Sequence, residues 1–312
     1  MIMTVVAILQ GMLVIALAPL VVGVLHRFKC WLQNRSSPSV LQPYLVFLKL
    51  LIKEPILPLH ASWIFRFAPF ISITLLAMLS FAVPFFIPVS LLSAHIDIIV
   101  FVGVLALARV SVVLAAMDIG SAFGSLGARR EIFVASLVEP VLLLVLLNLA
   151  LLTHGLTLDH IALTLIQKVV LYPSLAFSLC AFVMVFLAEN GRFPFDNPNT
   201  HLELTMVHEA MILEYSGRYL AVIEWANSLR LLLFLLVFIN LFFPFGLSQQ
   251  MTLLSVFIGV VSTIVKLVLL LGFLAILETY LAKVRIFRIP EYLGLALFLA
   301  FLGLIVTQLI GG

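Results

Sequence analysis

The feature that most constrains this chain is a succession of apolar runs, each long enough to cross a membrane. About 20 mainly apolar residues span the hydrocarbon core as a helix. Eight stretches reach or approach that length: 2–25, 68–92, 96–117, 133–153, 173–189, 226–247, 253–280 and 292–310. Hydrophobic residues make up 64% of the sequence and charged residues only 10%. A soluble domain is about 45–50% apolar and about 25% charged. There is too little polar surface here to clothe a water-soluble globule. Soluble enzymes, disordered chains and secreted disulfide scaffolds are therefore excluded. The expected fold is all-α, a polytopic transmembrane bundle of about eight spans forming a single integral membrane domain over 1–312. The first run has no basic start and no small-residue cleavage site, so it is expected to be a retained span rather than a signal peptide.

Basic residues set the expected orientation. Arg27, Lys29, Arg35, Lys49, Lys53, Arg66, Arg129, Arg130, Arg192, Arg218, Lys283, Arg285 and Arg288 all fall in odd-numbered connections, against Lys168 alone on the other side. The odd connections are thus expected in the cytoplasm and both termini outside. In the first connection Leu41, Leu45, Leu48 and Ile52 recur at helical spacing, with Lys49 and Lys53 off that stripe. That pattern suits an amphipathic helix in the membrane surface or an ordinary cytoplasmic helix. The residues 160–172 have the make-up of an interfacial or re-entrant piece. No internal repeat is evident.

Ionisable groups inside lipid cost about 2.5–3.5 kcal/mol on insertion scales and face protein or water. Arg109, Glu139, Arg230, Lys266 and Glu278 fall within the runs, Glu139 and Lys266 deepest, while Arg230 and Glu278 lie near ends. Two readings stand for these groups: interhelical ion pairs, or a proton relay through Glu139 and Lys266. Pro140 beside Glu139 removes a backbone hydrogen bond and can open a kink. The connection 189–225 gathers Glu189, Asp196, Glu203, Glu209, Glu214 and Glu224, six of the fourteen acids. The apolar residues interleaved with them suggest a folded-in acidic funnel. Read as one helix, the segment places Glu203 and Glu214 on a shared face, and His201 and His208 on another. Closely spaced, partly buried carboxylates hold protons more readily than isolated ones.

Other chemistry has no footing. Cys30 and Cys180 lack CxxC spacing and cannot ligate an iron–sulfur cluster alone. His208-Glu209 opens HExxH, but position 212 is Ile. Gly120, Gly124 and Gly127 do not make GxGxxG. The net charge of +3 is dispersed along the chain, which argues against nucleic acid. No metal, cofactor or catalytic residue is expected in this chain.

Ala188-Glu189, Arg192, Pro194-Phe195-Asp196, Glu203-Leu204 and Glu214-Tyr215-Ser216-Gly217 together read AExxRxPFD…EL…EYSG. This resembles the signature of the quinone-site membrane subunit of respiratory complex I and its hydrogenase relatives. The segment 118–130, DIGSAFGSLGARR, resembles that family's glycine and arginine loop leading into an acidic fourth helix, and Asn34-Arg35, Pro38 and Leu41-Gln42 resemble the entry to its interfacial helix. Within the family, HLELTMVHEAMILEYSG is most similar to the hydrogenase-4 component C and formate hydrogenlyase branch. Asn197, Asn199 and Thr200 stand where complex I relatives keep acids, and Ser37 where a glycine is usual, which favours that branch.

The resemblance implies a noncatalytic membrane anchor that couples redox chemistry to proton or sodium translocation. Its partners would be hydrogenase-like or complex I-like peripheral subunits on the cytoplasmic side, antiporter-like membrane subunits and the lipid bilayer. Iron–sulfur clusters, and nickel–iron or quinone, would belong to that assembly. Glu139, Glu189, Asp196, Glu203, Glu209, Glu214 and Lys266 would form the ion-coupling path, with Arg35, Arg129, Arg130 and Arg192 docking the partners. A quinone-site subunit of complex I and a stand-alone secondary transporter are the alternatives.

Overall fold

The computed structural model describes residues 2–58, 60–93, 95–167, 172–192, 207–248, 252–280 and 288–310. All regular structure among them is helical: α1 (Ile2–Leu32), α2 (Gln42–Ile52), α3 (Trp63–Ser80), α4 (Ile98–Asp118), α5 (Ala122–Thr153), α6 (Leu158–Gln167), α7 (Pro173–Glu189), α8 (His208–Ile212), α9 (Gly217–Phe242), α10 (Leu253–Tyr280) and α11 (Ile289–Ile310). Seven of these, α1, α3, α4, α5, α9, α10 and α11, are long and apolar enough to cross a membrane. The expected fifth span, α7, has 17 residues, one short of that class. It packs nonetheless against α5 and α11 inside the bundle.

The bundle is organised around α9. Every residue from Ser228 to Leu241 is buried. A helix apolar on all sides has no face to spare for solvent and is stable only when ringed by others. Helices α1, α2 and α3 pack on it, while α4 bridges α3 to α5 and α10 pairs with α1. The short α2 lies against α1 and α9 with Phe47 buried, while Leu41, Leu45, Leu48 and Ile52 all face outward. The predicted amphipathic stripe therefore points away from the bundle, as a membrane-surface helix requires.

The second expected span, 68–92, is corrected. Helix α3 begins five residues earlier, at Trp63, and stops at Ser80; the chain 81–92 continues without helix. Pro84 and Pro88 supply no N–H, and each biases its predecessor toward extended backbone. The segment is still buried, with Phe85, Phe86 and Ile87 at 2–4% exposure. Backbone at this depth persists only where protein groups satisfy it. Gln10 of α1 does most of this, its Oε1 accepting from the N–H groups of Phe85, Phe86 and Ile87 at 3.2, 3.1 and 3.2 Å. Its Nε2 donates to Val89 O at 3.2 Å. Asn240 donates to Pro84 O at 2.6 Å and Thr263 to Phe85 O at 3.0 Å. At the segment's end, Ser90 donates to Asp159 of α6 through both its N–H and its hydroxyl. Burial raises the Asp159 carboxyl above its usual range, against the Ser90 hydrogen bonds that pull it down.

Other bounds differ as well. Helix α1 runs two turns past 25. Helix α9 starts at Gly217 rather than 226 and ends at Phe242. The glycine and arginine segment 118–130 is largely helix, because Ser121 caps α5 by accepting from Gly124 N at 3.2 Å. A Cβ on Gly127 would lie 2.9 Å from Ala210 Cβ and 2.9 Å from Val207 O, so the glycine is what lets α5 seat against α8. We expect Gly127→Val to destabilise by about 1–3 kcal/mol through overpacking, read as a lowered melting temperature of the purified protein. Gly103→Ala, at a site open to 4 Å, should leave it unchanged.

Candidate functional site: a carboxylate cluster around Arg109

Arg109 lies on the buried face of α4, with Leu105, Ala108, Val112 and Ala116. Its side chain is 5% exposed and is surrounded by acids from two other helices. Nη1 donates to Glu139 Oε1 at 2.9 Å, Nε lies 3.4 Å from Glu131 Oε1, and Nη2 pairs with Glu189 Oε2. Glu131 and Glu139 stand about 12 Å apart along α5, a separation of eight residues. The planar guanidinium fork reaches both and still holds a third partner, which a point-charge ammonium cannot do. Glu189 is the last residue of α7, where the helix dipole disfavours an anion, so Arg109 also offsets that terminus. Arg230, buried on α9, is in electrostatic reach of Glu189 and Glu131.

The cluster thus holds three carboxylates against two guanidiniums. Fully ionised, it carries one excess negative charge in a medium that penalises net charge. One proton on any of the three acids makes it neutral. Exposure grades the acids along a direction: the Glu189 side chain is 2% exposed and the Glu139 side chain 34%. Glu139 sits beside Pro140 on the side of α5 where Ile132, Phe133 and Ser136 also face out. The cluster therefore runs from the end of α7 to the outer surface of the bundle.

A second ion-pair group ties α10 to α1 and to the chain after α7. Glu278 pairs with Lys29, and Arg192 Nη1 approaches it at 3.6 Å. Arg192 is thereby engaged within the chain itself.

Of the expected path residues, Glu139 and Glu189 meet at Arg109. Lys266 does not join them: its Nζ donates to the carbonyls of Phe243, at 2.9 Å, and Phe245, beyond the C-terminus of α9. A cation there satisfies orphan carbonyls and complements the dipole, which is a structural use. Arg230, expected to reach a helix end, is buried in the middle of the bundle instead. Glu209 is half-buried on α8, and Glu214 is exposed in the turn after it. The expected single helical face through Glu214 is therefore broken between Ile212 and Gly217. Asp196, Glu203 and His201 lie outside the described residues. Of the expected docking residues, Arg35 and Arg129 are exposed and Arg130 is half-buried.

Glu131 is not evident from the sequence because 118–130 reads as a loop. The available signal was Ser121 as a helix cap, which extends α5 and brings Glu131 onto it about two turns from Glu139. The EYSG element proves to be a clamp. The Tyr215 ring stacks on Phe65 at 3.9 Å and its hydroxyl donates to Phe65 O at 2.9 Å. Burial, and then Asp118, push that hydroxyl up, so it stays a donor. Ser216 Oγ accepts from Ile56 N at 2.8 Å and donates to Ile56 O at 2.9 Å. Gly217, at φ +53°, leaves room for Lys53 O. Among the described residues no three His, Cys, Asp or Glu side chains form a metal-binding group.

The same arrangement of helices recurs in a solved structure of the membrane-bound sulfane sulfur reductase, an archaeal respiratory membrane complex, with a TM-score of 0.82 at 19% identity over 96% of this chain and 98% of that one. Hydrogenase-4 component C of Escherichia coli (strain K12) is 32% identical over 295 residues, 93% of this chain and 92% of the relative. Formate hydrogenlyase subunit 4 of the same organism is 32% identical over 306 residues, 95% and 97% of the two chains. The family model described as NADH dehydrogenase matches residues 3–308. The chain therefore belongs to the NADH dehydrogenase family of complex I subunit 1, with its full-length likeness on the hydrogenase-4 and formate hydrogenlyase side.

Proposed function

We propose that this chain is the membrane anchor and energy-coupling subunit of a multisubunit hydrogenase-4-like complex in a bacterial inner membrane, with both termini outside. A cytoplasmic arm carrying iron–sulfur clusters, of the nickel–iron type, docks on the side that bears Arg35, Arg129 and Arg130. Redox events there shift charge in the acidic connection that begins at Glu189. The shift passes through the Arg109 cluster to Glu139, and from Glu139 to antiporter-like membrane neighbours that move protons or sodium ions. The supporting observation is the graded cluster itself, one arginine shared by three acids that run from a buried helix end to the bundle surface. The likeness of both hydrogenase-type relatives over more than nine-tenths of the chain favours a hydrogenase-type arm over a quinone-reducing one.

The test is Glu139→Gln in the assembled complex in inverted membrane vesicles. Electron transfer through the arm to an artificial acceptor should persist, while the ion gradient it builds falls about tenfold or more. A gradient of normal size would remove Glu139 from the path. Loss of the arm from the purified complex would instead mark the residue as structural.

A further inference from the structure

A hydrogen-bonded group at the end of the bundle remote from Arg35 and Arg129 takes no part in the Arg109 cluster. Helix α6 lies there beside the buried non-helical segment 81–92, and Leu156 O, just ahead of α6, accepts from Ile98 N at 3.0 Å. The base of the segment is closed at two points. Leu92 N donates to Phe81 O at 3.1 Å, and Ser90 Oγ lies 3.0 Å from Ala82 O. Asp159, in the first turn of α6 and 7% exposed, meets the same serine. Its Oδ2 accepts from Ser90 N at 2.7 Å, and Ser90 Oγ stands 2.8 Å from Oδ2 and 2.9 Å from Oδ1.

Ser90 therefore faces more acceptors than it can serve. A serine hydroxyl has one proton to give, and the Asp159 carboxyl and Ala82 O both lie within its reach. With Asp159 ionised, the carboxylate takes that proton, because a charged acceptor bonds roughly twice as strongly as a carbonyl. The buried Ala82 then loses this donor to its carbonyl. With a proton on Oδ1, the carboxyl donates to Ser90 Oγ, Oδ2 keeps Ser90 N, and the hydroxyl turns to Ala82 O. All three contacts exist already, so only protons move. Ser93 repeats the pattern, since its hydroxyl lies within reach of Asp159 and also of Ser90 O, at 3.1 Å. The other titratable groups at this end are His95, Asp97, His154 and His160, while 81–92, 140–153 of α5 and 231–242 of α9 carry none. What acts on the Asp159 carboxyl is burial, which raises it, and hydrogen bonds from Ser90 and Ser93, which lower it, with burial the larger.

We infer that Asp159 is a proton-binding site that latches the segment 81–92: taking up a proton hands the Ser90 hydroxyl to Ala82 O and closes the base of the segment. The latch responds to acid on the side where the chain termini lie, which is the outer side in the orientation proposed above. The folded chain holds this proton more tightly than the unfolded chain does. The added stability is therefore present in acid and is lost as pH rises through the raised value of Asp159.

The experiment is hydrogen exchange read by mass spectrometry on the purified complex in detergent. Both faces then see one pH, so the result depends neither on orientation nor on whether Glu139 conducts. Relative to peptides of α9, and corrected for intrinsic exchange, the peptide 82–92 should exchange about fivefold more slowly at about pH 5 than at about pH 8, the size of one hydrogen bond. Asp159→Asn, whose amide can accept from Ser90 N and donate to Ser90 Oγ, should hold the slow rate at both pH values. Ser90→Ala should show the fast rate at both. Equal protection of the wild type at the two pH values would overturn the inference. So would a pH dependence that survives Asp159→Asn, which would assign the response to His95, His154 or His160. The wild-type comparison decides the matter even if a variant fails to assemble.

Discussion

Replacing Arg109 with methionine is expected to lower both the stability of the bundle and the coupled activity of the complex that contains it. Methionine fills much of the same space but leaves Glu131 and Glu189, both buried, without their shared ion-pair partner and with only Arg230 in electrostatic reach. Removing one partner of a buried ion pair costs about 3–5 kcal/mol, because the remaining charge cannot return to water. Net stabilities are only about 5–15 kcal/mol. The melting temperature of the purified complex should fall by roughly 10 °C, and ion translocation should be lost outright. Arg109→Lys should recover part of the stability and little of the coupling. An ammonium can neutralise one or two of the acids, but it cannot span two turns of α5 and the end of α7 at once. If Arg109→Met melted like the wild type, the three acids would have to be held apart by something other than this arginine.

The second large effect is expected far from any charge. Gln10→Leu is nearly isosteric and, on hydropathy, ought to improve a membrane span. Instead it removes the acceptor for three buried N–H groups and the donor to Val89 O. Each orphaned group costs about 1–3 kcal/mol, so the sum rivals the whole stability of the fold. Little folded protein should be recovered from membranes, judged by the monodisperse fraction after detergent extraction. Gln10→Glu keeps the acceptor and loses the donor, so it should fall between. Normal recovery of Gln10→Leu would mean that the segment 81–92 can satisfy its backbone without α1.

These two residues also mark where the sequence could be read and where it could not. Apolar run length located every long helix, because the need to bury apolar surface and to close backbone hydrogen bonds inside lipid acts on each span separately. The bounds of α7 and α10 were predicted to the residue. Hydropathy failed over 81–92, since it credits proline-rich apolar chain as span. The decisive partner, Gln10, lies about 75 residues away in sequence and is joined only by tertiary packing. The candidate site was half legible. Glu139 and Glu189 stood out as acids in or beside apolar helices, whereas Glu131 was hidden by a helix start just after Gly120 that rests on one serine cap. Lys266 looked equivalent to Glu139 by depth in its run. Its role as partner of the carbonyls beyond α9 depends on where another helix ends, which no single segment encodes.

The most direct measurement is a reduced-minus-oxidised infrared difference spectrum of the assembled complex, taken for the wild type and for Glu139→Gln. If the Arg109 cluster changes its protonation as the arm is reduced, the wild type will show a carboxylic C=O signal that the variant lacks. A spectrum without carboxyl change, or one identical in the two proteins, would mean that the cluster is a fixed ion-pair network and that coupling runs elsewhere.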